Sequence, residues 1–118
     1  MKPRKHTPWG DAQSETDVAD GITFYSTAGH GGYHVAMHRL EEMGPLARAP
    51  FAGAGWFEED CDWARVALAF PDEFSRLASD ASRENILRAA EHTLRMYKPA
   101  LLDEWQKWKE SKCKPSIV

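Results

Sequence analysis

Three glycines in four positions, Gly29-His30-Gly31-Gly32, break any helix through the first third of this chain. They lie between two stretches that favour extended backbone. Ile22, Thr23, Phe24, Tyr25 and Thr27 are β-branched or aromatic, and Gly31-Gly32-Tyr33-His34-Val35-Ala36 reads as a second strand. The two together predict a β-hairpin whose tip carries His30, with neighbouring glycines free to supply positive φ in the turn. A lone hairpin is marginal in water, so other elements must cover one of its faces.

Those elements are expected to be helices. Met37 to Met43 has the composition of a short helix stopped by Gly44-Pro45, and residues 45–55, with two prolines and two glycines, read as a loop. From Trp56 onward, Cys61, Trp63, Val66, Ala67 and Phe70 keep roughly helical spacing, which predicts a helix opening near Trp56 or Phe57. Arg65-Val66-Ala67-Leu68 leaves a strand open. Pro71 ends that segment and can begin a short helix through Leu77. Ile86, Leu87, Ala90, Leu94 and Tyr97 then mark a longer helix that Asp80 or Ser82 can cap. Pro99 breaks the run and opens a last helix with Leu101, Leu102, Trp105 and Trp108 on one stripe, fraying after Lys109.

The expected architecture is α+β: a short antiparallel hairpin or small sheet covered by helices, with a helical C-terminal segment broken at Pro99. Residues 1–21, rich in proline and polar groups, read as an irregular arm pinned by Trp9. Residues 22–110 read as a single domain and 111–118 as a flexible tail. With 118 residues, 42% of them hydrophobic, and five Trp and five Phe, the chain can bury a core. No apolar run is long enough for a bilayer and no export signal is evident, so a cytoplasmic location with no membrane is expected. Two cysteines, Cys61 and Cys113, make no disulfide framework.

Charge is unevenly placed. Residues 1–10 carry a net +3, residues 11–80 a net −9 and residues 81–118 a net +3. The acidic middle favours a protein partner with a basic surface over direct nucleic-acid binding. An acidic surface also serves solubility alone. Lysines 98, 107, 109, 112 and 114 near Trp105 and Trp108 could contact a phosphate backbone, but such tryptophans more often face a core.

The densest chemistry lies in Trp56-Phe57-Glu58-Glu59-Asp60-Cys61-Asp62-Trp63 and around His30. Cys61 as nucleophile with His30 as base would be a thiol mechanism, yet Glu58, Glu59, Asp60 and Asp62 oppose thiolate formation unless a cation intervenes. A small buried Cys61 beside Trp63 is the plainer reading. Trp56, Glu58, Glu59, Asp60, Asp62, His30 and Tyr33 are the candidate binding residues. The acids also suit a helix N-terminus, with no further role. His30, His34 and His38, spaced by four, would share a helix face, but the glycines forbid that helix; no metal site and no cofactor are expected. Gly29-His30-Gly31-Gly32 lacks the following helix and lysine of a phosphate-binding loop.

Taken together, Thr7-Pro8-Trp9-Gly10, Ala19-Asp20-Gly21-Ile22, Ser26-Thr27-Ala28-Gly29-His30-Gly31-Gly32 and Trp56 to Trp63 resemble a poorly characterised family of small proteins and accessory domains from phages, plasmids and other bacterial mobile elements. The resemblance covers about residues 7–75 and implies a setting in mobile-element biology without implying catalytic residues. It leaves the helical C-terminus as an addition. In that setting two classes compete. One is a non-enzymatic protein-binding accessory protein, of the anti-CRISPR or anti-restriction type. The other is a small hydrolase or transferase built on Cys61 and His30. An exposed stripe with Trp105 and Trp108 would also allow a homodimer, unless the domain buries it.

Overall fold

The computed structural model describes residues 5–48, 50, 53–76 and 82–113. The fold is α+β, as expected. The hairpin forms from β4 (Ile22–Ser26) and β5 (Gly31–Val35), and it is the centre of a larger sheet. Strand β3 (Ser14–Ala19) adds on one side and β6 (Trp56–Glu58) on the other, all antiparallel, in the order β3-β4-β5-β6. A separate two-stranded ladder joins β1 (His6–Thr7) to β2 (Gly10–Asp11).

The segment read as an irregular arm thus contains three strands, and β3 belongs to the same sheet as the hairpin. Strand β3 carries Ser14, Glu15, Thr16 and Asp17 exposed and buries only Val18, so hydrophobic alternation cannot reveal it. An outer strand needs little apolar surface when one neighbour supplies its hydrogen bonds. The helix expected from Trp56 is also displaced: Trp56, Phe57 and Glu58 pair with His34, Tyr33 and Gly32, and α2 starts at Trp63 (Trp63–Ala69). Three residues are too few to show a period of two.

Register divides the sheet into two faces. One row across it runs Thr16, Phe24, Tyr33, Phe57, with Ile22 opposite Val35 on the same side. Ile22, Val35 and Phe57 are fully buried there with Val66, Leu94 and Leu102. On the outer face one row runs Glu15, Tyr25, Gly32, Glu58 and the next Asp17, Thr23, His34, Trp56.

Helices cover the inner face in layers. α2 packs on β5 and β6 and, on its other side, on α4 (Arg83–Tyr97). Five consecutive buried residues, Ala64 to Leu68, fit a helix enclosed on all sides. α1 (Met37–Met43) ends as expected at Gly44, followed by a 3-10 turn, Gly44–Ala47, within the stretch read as loop. α3 (Pro71–Ser75) starts at Pro71; Leu77 lies outside the described residues. Ser82 caps α4, its hydroxyl accepting from the Asn85 amide at 3.1 Å, while the alternative cap Asp80 lies outside the described residues.

Pro99 opens α5 (Pro99–Cys113), which runs past Lys109 to Cys113, so the tail from 111 does not start as coil; residues 114–118 lie outside the described residues. Its stripe is used within the domain. Leu102 is fully buried, Trp105 nearly so, and the Trp108 ring lies on Gly44, where a Cβ would come within 2.5 Å of it. The residues that would form a homodimer stripe thus make contacts within the domain, with Leu101 and Trp108 left partly buried.

Trp9 pins the N-terminal segment as expected, and Gly32 is what receives it. A Cβ at Gly32 would overlap Trp9 Cη2 and approach the Phe57 carbonyl oxygen to 2.6 Å. The carbonyl belongs to the paired strand and cannot move aside. Gly32→Ala is expected to destabilise the domain by about 2–3 kcal/mol, as overpacking does. Urea unfolding should show a lower midpoint at unchanged slope.

Candidate functional site

The hairpin tip and the turn after β6 meet at one end of the sheet. Thr27 closes the tip, its amide donating to the His30 carbonyl at 2.7 Å and its hydroxyl accepting from the His30 amide at 3.1 Å. Gly29 and Gly31 are not among the glycines with positive φ, so this turn rests on the threonine and not on the glycine conformations anticipated for it. The Glu59 amide donates to the Gly31 carbonyl at 3.0 Å, which carries the Glu59–Asp62 turn alongside.

His30 there faces Asp60. Its Nδ1 lies 3.8 Å from Asp60 Oδ2, with both side chains more than half exposed. Cys61 is half-buried, and its thiol is pushed up by burial and then by the carboxylates of Glu58, Asp62 and Asp60. Among the described residues no cation opposes that rise. Glu58 is itself pushed up, by burial first and then by Asp62 and Asp60, with His30 opposing. The end of the sheet is thus a place where carboxylates crowd one another.

Two of the sequence candidates are structural. Asp62 is completely buried and pairs with the equally buried Arg65, Oδ1 to Nε at 3.2 Å. Arg65 Nη1 donates to the Arg48 carbonyl at 2.6 Å and the Leu46 carbonyl at 3.4 Å, which ties the 3-10 turn to α2. An acid at the mouth of α2 is stable in the interior because a guanidinium waits one turn further on. Tyr33 shares the inner face with Val35 and packs on Phe24 and Phe74, ring centroids 4.9 and 5.3 Å away. Its hydroxyl is pushed up to about 12 by burial and by Glu59. Neither residue belongs to an exposed binding surface.

Glu59 and Asp60 remain exposed, and Trp56 and Glu58 are partly buried. Trp56 sits in an aromatic cluster on the outer face: Trp9 meets it edge-on at 5.8 Å, Tyr25 at 5.7 Å and His34 at 4.6 Å. Burial, followed by Lys5, holds His34 below the ordinary histidine range. His38 instead reaches Asp20, Nε2 to Oδ2 at 3.2 Å. The three histidines spaced by four therefore serve three separate places. Among the described residues no group of three or more His, Cys, Asp or Glu side chains is arranged to hold a metal ion.

Sequence reasoning missed Arg65 and Tyr97. A cation inside Trp63-Ala64-Arg65-Val66-Ala67-Leu68, three residues after Asp62, was the available signal for the buried pair. Tyr97, at the end of α4, has its hydroxyl pushed up by burial and Asp62, with Arg65 opposing, so the end of α4 lies in the field of the same acidic turn. A groove of about 360 Å³ lies elsewhere, lined by Arg48, Lys98, Pro99, Ala100, Leu101 and Glu104, and contains none of these side chains.

The fold and this site define a small α+β domain with a carboxylate-rich sheet end and no assembled thiol–imidazole pair among the described residues. The chain belongs to a family described as a domain of unknown function, DUF7007, whose model matches residues 2–117. That match takes in both C-terminal helices, α4 and α5. No curated protein and no solved structure matches the chain.

Alkylation of Cys61 in a Cys113→Ser background should accelerate only above the ordinary thiol range. Glu58→Gln should move the profile to lower pH, because it removes the largest charge acting on the sulfur, whereas His30→Ala should leave it unmoved. Rapid labelling near neutral pH that His30→Ala slows would restore the thiol–imidazole pair.

Proposed function

We propose that this domain is a non-enzymatic binding protein which offers the end of its sheet to a partner with a basic surface. The contact residues are Glu58, Glu59 and Asp60 with His30, and Trp56 supplies aromatic area beside them. The observation that carries this reading is that Glu58 and Asp60, which reach solvent at this end of the sheet, add to burial in pushing the Cys61 thiol up. The arrangement suits charge recognition and opposes the hydrolase or transferase chemistry that Cys61 and His30 would need. Motif resemblance to proteins of phages, plasmids and other mobile elements supports a counter-defence role, as an inhibitor of the anti-CRISPR or anti-restriction type. An acidic surface of this kind can occupy a groove that otherwise holds nucleic acid.

The test uses the domain as bait at low salt, followed by titration of the captured partner. The double variant Glu59→Lys/Asp60→Lys should weaken association about tenfold at low ionic strength, and the difference should shrink as salt screens the charges. Cys61→Ser should leave affinity unchanged. Equal affinity of the charge-reversed and parent domains would overturn this reading.

A further inference from the structure

Strand β3 is the outermost strand of the sheet, hydrogen-bonded to β4 on one side and to no other strand among the described residues. Ser14, Glu15, Thr16 and Asp17 are all exposed along it, and a register shift between Asp17 and Ala19 ends the regular stretch. An edge of this kind presents backbone donors and acceptors in a row, ready for a further strand. Its side chains decide which strand that is. Glu15 and Asp17 lie opposite Tyr25 and Thr23 on the outer face, two residues apart, and after burial itself both push the Tyr25 hydroxyl up.

A second copy of β3 laid antiparallel on this edge would bring carboxylates against carboxylates, which is repulsive for cross-strand neighbours. The sign reverses for a strand with lysine or arginine at alternate positions. The outer face also carries acids at both margins, since the row that begins with Glu15 at β3 ends with Glu58 at β6. We infer that the free edge of β3 binds an extended basic segment of a protein partner as a fifth strand, pairing along Ser14–Asp17 with Lys or Arg side chains set against Glu15 and Asp17. This deepens the reading that the partner is basic and rests on it; the backbone pairing is the added content.

The probe is a capped octapeptide of alternating Lys and Thr, compared with the same peptide N-methylated at alternate backbone amides. N-methylation removes strand hydrogen bonds and keeps every charge. The Lys/Thr peptide should slow hydrogen exchange of β3 amides at least about threefold and shift their NMR signals, and the N-methylated peptide should bind at least about tenfold more weakly. Glu15→Lys/Asp17→Lys should lose the Lys/Thr peptide and accept a Glu/Thr one. Equal binding of the two basic peptides, signals moving at Glu59 and Asp60 instead of β3, or no binding at millimolar peptide would each overturn the edge proposal. In the second of these outcomes the acidic sheet end would still stand, and its own charge-reversal titration decides it separately.

Discussion

A guanidinium with no exposure to solvent holds this domain together. Arg65 lies on α2, the helix between the sheet and α4, and it binds Asp62 and the carbonyls of Leu46 and Arg48 together. Two segments distant in sequence, residues 46–48 and the start of α2, meet at one side chain. Such a pair gains little over a well-packed apolar core, because both charges must be stripped of water; removing one partner nonetheless costs about 3–5 kcal/mol. The arrangement therefore acts chiefly as a constraint on geometry. It fixes where α2 begins, and hence where the acidic turn from Glu59 to Asp62 stands relative to the hairpin tip.

From that constraint follows a sheet with two unlike faces. The inner face is conventional core, with Ile22, Val35 and Phe57 fully enclosed by helices. The outer face has its own small aromatic cluster, covered partly by Trp9 and edged by Glu15, Asp17 and Glu58. Carboxylates at both edges of an aromatic floor give this side a negative potential with low-dielectric patches beneath it, a condition under which charge attraction is less screened than over open water.

The helices were legible because α4 and α5 write their packing locally: apolar residues recur at helical spacing, and Ser82, Pro99 and Gly44 punctuate them where the structure does. The central hairpin was legible for the same reason, its two strands being neighbours in the chain. Strands β3 and β6 were not. Each draws its stability from a partner already in the sheet, so Ser14-Glu15-Thr16-Asp17 can be a strand while looking like a polar loop. The site was half legible. His30, Glu59 and Asp60 do come to one end, but Asp62 and Tyr33 turn inward. The parity of Tyr33 with Val35 carried that information for the tyrosine, and the burial of Asp62 depended on an arginine whose role only the packed helix reveals.

The seat of Trp9 on Gly32 has a consequence for the order in which the domain assembles. Hairpin pairing between β4 and β5 closes a short loop, whereas Trp9 needs Gly32 to be already flanked by Tyr25 and Glu58 from both neighbouring strands. Contacts that wait on non-local pairing form late, since their loop-closure entropy is met only after the nearer contacts exist. Trp9, which precedes the other four tryptophans in the sequence, is thus late to find its place, and its burial is a natural optical signal for completion of the sheet.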